Sequence, residues 1–469
     1  MIRWHRIEPV VFIAAVGLLV VSVPVLGPLP ALAILPALVA AAVMVRYPVV
    51  AVLIPLVVAP VAFTYIPGTG GIRVIHVAVA IAVAGVILGY FTGRITVRPP
   101  AVLGWGVAFV AAFAISTMTS IDPTQSLKYS LNHILGLALA ASAAVVVRQS
   151  PSNLTWVLRG WVVAAAVVIM PALPAALNAT DRFAGALIEG RAQGVFSQPN
   201  DYGEFSMFAV VMSWALFTGA TTRLDRVIAI LGGFVGAAGV AVSFSRGTWI
   251  GLVVMMIVAV LLAVRLLRPV LVVLIALSPV FAVSIATGTP PFAALSERLT
   301  AFFSGAPNPE DDRSVIHDQA WRLFFDNPLT GTGPGTYPFG AFDPGAELIR
   351  RPYLHAHTAL LTAASELGLL GVITLLGLTG GLAYVVLRAR RRLLGSGEVA
   401  RNAQISILAA GLVGIAVHGL VDFVYTNPYL IPLAWFQVGI LAGACARVGP
   451  PGPRQSSAVD PPRTVGVPE

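Results

Sequence analysis

The chain alternates between long apolar runs and short polar breaks. Each run is about 17 to 25 residues, long enough to cross a hydrocarbon core of about 30 Å as a helix. The runs fall near residues 8–27, 29–45, 47–66, 73–92, 101–118, 127–147, 153–177, 201–219, 227–243, 247–264, 269–287, 358–387, 403–424 and 428–446. The pattern predicts an all-α polytopic membrane protein with about 12 to 14 transmembrane helices.

Composition points to the same class. Hydrophobic residues make up 57% of the chain and charged residues 10%, and the mean hydropathy is +0.88, which excludes an ordinary water-soluble globular protein. The first run follows Arg3 and Arg6 and has no clear small-residue cleavage site, so we expect it to be retained. Cys445 is the single cysteine, so the chain has no internal disulfide.

Basic residues are distributed unevenly between alternate loops. One face collects 19 of the 29 lysines and arginines, including the cluster at 388–392. On the other face, five lie in one long loop, and the other five, in or beside short loops, are Arg73, Lys128, Arg182, Arg191 and Arg246. Because cytoplasmic loops carry the excess of basic residues, we predict that both termini are cytoplasmic in a multi-pass protein of the inner membrane. The net charge of +9 is then a topology signal and does not indicate nucleic acid binding.

The loops and runs divide the chain into five segments. N-terminal membrane helices occupy 1–180, and membrane helices with arginine-bearing outer loops occupy 181–287. A large extracytoplasmic loop covers 288–357, C-terminal membrane helices cover 358–447, and a proline-rich tail predicted to be disordered covers 448–469.

The large loop contains a predicted amphipathic helix. In "DDRSVIHDQAWRLFFDNP", Ile316, Ala320, Leu323 and Phe324 recur at helical spacing, which predicts a short helix lying on the outer surface and ending at Pro328. The following "GTGPG", residues 331–335, lacks the strand and helix that flank a phosphate-binding glycine loop. We therefore interpret it as a turn.

Four ionisable residues fall at one predicted depth, the outer edge of the membrane. Arg191 precedes the eighth run in "RAQGVFSQPN", and Arg246 lies in the turn "SFSRG" between the ninth and tenth runs. His355 and His357 lie where the long loop meets the next run. One arginine at a helix end is usually a snorkelling residue or a cap. Arginine side chains bind phosphate oxygens well, and histidine side chains exchange protons near neutral pH. Two of each at one depth suit a site where a phosphorylated lipid meets a nucleophile.

Glu366 follows His357 by nine residues. On a helix this spacing is half a turn out of phase and a rise of about 13.5 Å, so the two side chains face opposite sides. We expect Glu366 to hydrogen-bond another helix, with Gly368 and Gly371 allowing close helix contact.

Other polar residues in the apolar runs have a structural interpretation. His418 and Asp422 lie four apart on one helical face, which predicts an interhelical clasp, with a role in supporting the site as the alternative. His76 and His133 are lone polar residues among apolar neighbours, typical of hydrogen-bonded core histidines. No spacing of carboxylates and histidines matches a metal site.

Four segments in this order resemble the bacterial O-antigen ligase and polymerase superfamily. They are "RAQGVFSQPN", "SFSRG", "DDRSVIHDQAWRLFFDNPLTGTGPGTY" and "AHTALLTAASELGLLG", within about residues 185–375. The family shows a histidine nine residues before a glutamate-x-glycine, which places His357 and Glu366 in the motif. It often has asparagine after the histidine, whereas this chain has Thr358, whose hydroxyl could replace part of an amide contact to the acceptor.

The resemblance implies a glycosyltransferase that takes a glycan from a polyprenyl-diphosphate donor at the outer face of the membrane, without nucleotide sugar, metal or other cofactor. Arg191 and Arg246 would hold the diphosphate, with Arg313 as a third arginine. His357 would orient or deprotonate the acceptor hydroxyl, and His355 is the alternative base.

The acceptor separates the alternatives. A ligase transfers the glycan to a glycan, glycolipid or protein, and a polymerase extends another polyprenyl-linked glycan.

A transporter of lipid-linked glycans is the alternative class, and it would carry ionisable residues at mid-membrane and two related halves. The sequence shows neither feature.

Overall fold

The computed structural model describes most of the chain between residues 41 and 448. The described parts are 41–69, 71–178, 191–196, 198–287, 300, 304, 313–340, 355–420 and 427–448. The predicted run at 8–27, most of the run at 29–45 and the predicted disordered tail lie outside these parts.

Helices make up nearly all of the regular structure in these parts. The first nine are α1 (Pro48–Val57), α2 (Val74–Phe91), α3 (Leu103–Met118), α4 (Pro123–Gln149), α5 (Pro151–Ile169), α6 (Pro199–Thr218), α7 (Arg223–Val242), α8 (Arg246–Leu262) and α9 (Leu267–Thr287). They are followed by α10 (Arg313–Asp326), α11 (Tyr337–Gly340), α12 (Ala359–Gly395), α13 (Val399–His418) and α14 (Leu430–Ala446).

The predicted fold class is confirmed. Each of the apolar runs predicted from 47–66 onward contains a helix, and six helices of the described parts are long and apolar enough to cross a membrane. Run 47–66 differs in detail, because α1 ends at Val57 and a short 3-10 turn over Ala59–Val61 follows, with a proline at its second residue. The protein is an all-α polytopic membrane protein.

Aromatic side chains fill the centre of the helix bundle. Trp161 of α5 packs against Phe205 and Phe208 of α6, with ring centroids 5.6 Å and 5.5 Å away. All three side chains are fully buried. Burial of such large rings accounts for much of the packing between α5 and α6.

Small residues allow a close crossing of α8 and α13. Gly251 of α8 lies against Gly414 of α13, and a Cβ added at Gly251 would stand 2.7 Å from the carbonyl oxygen of Gly414. A side chain at either position would separate the helices, because neither backbone can withdraw. This contact fixes α13 beside α8, and with it the relative positions of two segments that carry polar residues of the site.

Candidate functional site

The long helix α12 changes direction at Gly368. Its φ of +63° lies in the region that glycine adopts without strain. A Cβ at this position would stand 2.5 Å from backbone atoms of Leu329. Gly368 thus makes room for the large loop and not for another helix, and the predicted helix contact is wrong. At Gly371 the nearest atoms belong to the side chain of Leu367 in the same helix, and the helix contact expected there stays a prediction.

Glu366 holds the glycine-rich turn. Its carboxylate accepts the backbone N–H of Gly335 at 2.8 Å and that of Tyr337 at 3.1 Å, inside a buried setting. The expected partner was another helix, and the structure replaces it with the loop. Segment 331–335 is a turn as predicted, and the carboxylate uses one oxygen to bind its last amide and the other to bind the first amide of α11.

The turn between α3 and α4 contacts the same loop from the other side. The N–H of Ile121 donates to the carbonyl of Thr332 at 3.0 Å, and the hydroxyl of Ser126 donates to the carbonyl of Pro334 at 3.0 Å. The segment 331–335 is therefore fixed between α12 and the start of α4.

The predicted amphipathic helix is present as α10. Ile316, Ala320 and Leu323 are buried, and the carbonyl of Ile316 accepts the hydroxyl of Tyr337 at 2.8 Å. Phe324 is only partly buried. The helix ends at Asp326, two residues before Pro328, as expected from the ring of that proline.

A polar cavity of about 530 Å³ opens at one end of the bundle, beside the glycine-rich turn. Gly335 and Pro338 form part of its wall, and residues at or just before the starts of α2, α4, α6 and α14 form much of the rest. The polar and ionisable residues of the wall are Tyr65, Arg73, Gln125, Tyr129, Gln198, Asp201, His355 and Asn427. We refer to this space as the cavity and to this end of the bundle as the cavity end.

The two predicted histidines lie together, and only one of them lines the cavity. The rings of His355 and His357 have centroids 4.4 Å apart, and Nδ1 of His355 accepts the backbone N–H of His357 at 3.1 Å. His355 is buried and faces the cavity, whereas His357 is partly exposed. The backbone at His357 is left-handed, with a φ of +52°, where the two rings come together.

Thr358 begins α12. Its hydroxyl accepts the N–H of Leu361 at 3.3 Å, which makes it the N-cap, and the N–H of Ala359 donates to the carbonyl of Gly419 at 2.7 Å. These bonds anchor the segment that carries both histidines to the end of α13. In this structure the Thr358 hydroxyl therefore has a structural role.

Arg191 lies beside the cavity. Its Nε donates to the carbonyl of Ser243 at 2.9 Å and its Nη2 to the side-chain oxygen of Asn200 at 2.9 Å. Gln198 and Asp201, which line the cavity, flank Asn200 in the chain. Arg191 thus joins the segment before α6 to the end of α7.

Arg246 is the first residue of α8, directly after the N-cap Ser245. It is partly exposed, and among the described residues it makes no hydrogen bond or ion pair. It does not line the cavity. Arg313 is the first residue of α10, and its side chain lies outside the described part.

Buried polar pairs join α6 to its neighbours near the cavity. The amide of Asn427 donates to the carboxylate of Asp201 at 2.7 Å. One turn further along α6, the carboxylate of Glu204 lies 3.0 Å from Nδ1 of His418, with both side chains fully buried. His418 does form an interhelical contact, and it does so with Glu204 of α6. Asp422 lies outside the described residues.

The other two core histidines are hydrogen-bonded, as the sequence predicts. Nε2 of His76 lies 2.8 Å from the side-chain oxygen of Asn132, and the indole N–H of Trp435 donates to Nδ1 of His133 at 3.3 Å. Both bonds join neighbouring helices. A structural role therefore accounts for both rings.

The sequence interpretation missed the residues between α1 and α2. Nη2 of Arg73 donates to the hydroxyl of Tyr65 at 2.5 Å, its guanidinium lies 4.4 Å from the centroid of that ring, and the two residues form an isolated antiparallel bridge. Both line the cavity, together with Tyr129. The available signal was the charge distribution, which already placed Arg73 on the same face as Arg191.

The fold and the site define a polytopic helical membrane protein with a polar, arginine-bearing cavity at one end. Residues 231–376 match the family model described as O-antigen ligase. The matched segment contains Arg246, the glycine-rich turn, both histidines and Glu366, and it confirms the resemblance found in the sequence. Arg73 and Arg191 lie outside it.

Two further comparisons add little. One solved structure, described as "Structural coordination of polymerization and crosslinking by a peptidoglycan synthase complex", aligns with 74% of this chain and 97% of its own, at 16% identity and a TM-score of 0.43. Among curated proteins, none matches this chain.

Proposed function

We propose that this protein is a membrane glycosyltransferase that transfers a glycan from a polyprenyl-diphosphate donor to an acceptor hydroxyl. The observation that carries the proposal is the cavity, which brings His355 and Gly335, both from the segment matched to the O-antigen ligase family, against Arg73 and Asp201 from helices that the match does not cover. A site assembled from both parts of the chain is the arrangement that a substrate-binding centre requires.

Arginines would bind the diphosphate. Arg246 has no partner among the described residues, and Arg191 is fixed beside the cavity by Ser243 and Asn200. Arg73 lines the cavity, and we add it to the predicted set of Arg191, Arg246 and Arg313. Guanidinium groups keep their charge in a low-dielectric setting and stabilise the negative charge that develops on the leaving diphosphate.

His357 would act as the base. Because Nδ1 of His355 accepts the His357 amide, a neutral His355 carries its proton on Nε2 and is a hydrogen-bond donor. His357 removes the proton of the acceptor hydroxyl, whose oxygen forms a bond to the anomeric carbon as the bond from that carbon to the diphosphate breaks. The products are the elongated or ligated glycan, with inverted configuration, and polyprenyl diphosphate.

Two reactions fit this chemistry. A ligase would use a glycan, glycolipid or protein as the acceptor, and a polymerase would use a second polyprenyl-linked glycan. In both, the energy comes from the sugar-diphosphate bond, and neither needs a nucleotide or other cofactor. The wall of the cavity is compatible with either acceptor.

A transporter of lipid-linked glycans is the alternative class. Such a protein places ionisable groups at mid-membrane. The carboxylates within the described membrane helices are Asp201, Glu204, Asp225 and Glu366, and each lies within about two turns of the start of its helix. Acidic residues concentrated at helix ends favour a site at the membrane edge.

The arginine imbalance supports one orientation of this site. In it, the cavity end would lie at the outer face of the cytoplasmic membrane and both termini in the cytoplasm. A donor whose lipid lies in the outer leaflet would then reach the cavity from the bilayer, and the acceptor would arrive from outside the membrane.

The test is transfer by the purified protein. The protein in detergent is incubated with a polyprenyl-diphosphate glycan and candidate acceptors, with the His357→Ala variant as the control. Release of polyprenyl diphosphate with glycan on the acceptor supports the proposal. Intact donor that crosses liposome membranes, with no transfer in either preparation, would assign the protein to transport.

A further inference from the structure

A second pocket, of about 420 Å³, lies at the opposite end of the bundle from the cavity. It is formed where α5 and α13 begin and where α6 and α14 end. Since the cavity is bordered by the starts of α6 and α14, the lengths of these helices separate the two spaces. The pocket contributes nothing to the candidate site described above.

Three arginines line this pocket, and two carboxylates oppose them. Nε of Arg159 lies 2.5 Å from the carboxylate of fully buried Asp225. Nη1 of Arg401 lies 3.2 Å from Glu398, whose side chain is half-exposed. Arg447 makes no ion pair among the described residues. The pocket therefore holds more positive than negative charge.

One buried donor of the pocket has no partner in the described part of the chain. Nη2 of Arg401 is buried and has no hydrogen-bond partner among the described residues. Burial, and after it the positive charge of Arg401, lowers the pKa of Arg447 to about 10, while Glu398 acts in the opposite direction. Two guanidinium groups thus line one pocket and repel one another, an arrangement that a bound anion would stabilise.

The surroundings of the pocket indicate where the anion comes from. Trp156 lies on its wall with its side chain 52% exposed, and the guanidinium of Arg159 lies 4.8 Å from the centroid of its ring. Tryptophan at the end of an apolar helix is typical of the bilayer interface. Basic pockets between membrane helices bind lipid headgroups.

We infer that this pocket is a binding site for a phosphate group, held between Arg401 and Arg447, and that the headgroup of an anionic phospholipid supplies it. The phosphate oxygens accept from Nη2 of Arg401 and from the guanidinium of Arg447, and the acyl chains extend past Trp156 into the bilayer. The site is independent of glycan transfer. It stabilises the junction of α5, α6, α13 and α14.

Native mass spectrometry of the full chain in detergent tests this inference. Phosphatidylglycerol, phosphatidylcholine and inorganic phosphate are titrated separately, and bound copies are counted. We expect the wild-type protein to retain one phosphatidylglycerol about tenfold more tightly than phosphatidylcholine, because both lipids carry a phosphate but the choline cation of the second is repelled by the arginines of the pocket. The Arg401→Gln/Arg447→Gln variant should lose this preference.

Matched variants separate the outcomes. Arg388→Gln removes an exposed arginine near the C-terminal end of α12, outside the pocket. This variant should keep the preference for phosphatidylglycerol. Arg447→Lys keeps the positive charge and should retain part of the lipid preference. A partial preference in this variant would show that the loss in the double variant is not due to misfolding. A melting temperature raised by inorganic phosphate in the wild type but not in the double variant would support the phosphate site and make a free anion its source. Equal binding of both lipids to the wild type, with no effect of phosphate, would overturn the inference.

Discussion

The carboxylate of Glu366 accepts the backbone N–H of Gly335 at 2.8 Å, and Gly335 forms part of the cavity wall. The same carboxylate accepts the N–H of Tyr337 at 3.1 Å. A single buried side chain of α12 thus sets the position of the loop beside the histidines. In the matched family segment, the glutamate supports the loop and the glycine two residues later provides the space for it.

Replacing Glu366 should loosen the loop. A carboxamide in Glu366→Gln has one acceptor oxygen and sets its own N–H₂ against a backbone donor, so at least one buried N–H loses its partner. We expect a loss of about 1 to 3 kcal/mol of stability, and more for Glu366→Ala. Thermal unfolding in detergent measures it, with Glu398→Gln, at an exposed position, as the control. Melting of Glu366→Gln at the wild-type temperature would show that the two hydrogen bonds are not important.

Sequence periodicity predicted the helices because apolar length and polar breaks are local properties. The partner of Glu366 was not predictable in this way, since it depends on how a loop about 30 residues earlier folds back onto α12. The pairing of Glu204 with His418 spans 214 residues of sequence and was missed for the same reason. Charge distribution placed Arg73 on the same predicted face as Arg191, but only the structure shows that it reaches the cavity, where it forms a bridge with Tyr65.

Arg191 and Arg246 should each be needed for donor use. Alanine at either position removes a fork of donors, and we expect transfer to fall at least about tenfold while the protein stays in the membrane. Lysine should restore only part of the activity, because a point charge cannot make bidentate phosphate contacts. Initial rates at several donor concentrations measure the effect. Full activity with lysine at both positions would mean that positive charge alone suffices.

Arg73 offers a test of the cavity itself. Arg73→Ala removes a guanidinium from the wall and should weaken donor use, whereas Arg94→Ala, just beyond the other end of α2, should not. Tyr65→Phe keeps the ring and loses the hydroxyl that accepts from Arg73, so a smaller effect is expected. Transfer rates of the three variants are compared after each has been shown to melt like the wild type. Equal effects at both ends of α2 would indicate a general structural cause.

The predicted orientation can be tested by cysteine labelling. In a Cys445→Ser background, Ser314→Cys in α10 should react with an impermeant maleimide in intact spheroplasts, and Ser396→Cys after α12 should react only after lysis. Both positions are exposed, and the substitution is nearly isosteric. The prediction follows from the arginine imbalance. Labelling of Ser396→Cys alone in intact spheroplasts would show that the orientation is the reverse of the predicted one.

The last prediction separates a base from a metal ligand at the histidine pair. His355 and His357 lie side by side, as two ligands of one ion would, and no group of three histidine, cysteine, aspartate or glutamate side chains suited to a metal occurs among the described residues. Arginines can neutralise a diphosphate without a divalent cation. We expect transfer to survive excess chelator, His357→Ala to abolish it, and His355→Ala to reduce it less, because His355 donates a hydrogen bond while His357 takes the proton. Transfer assayed with and without chelator measures all three effects, and His133→Ala, which removes a ring hydrogen-bonded to Trp435 between helices, is the histidine control. Loss of activity on chelation with recovery on adding magnesium or manganese would return both histidines to the role of ligands.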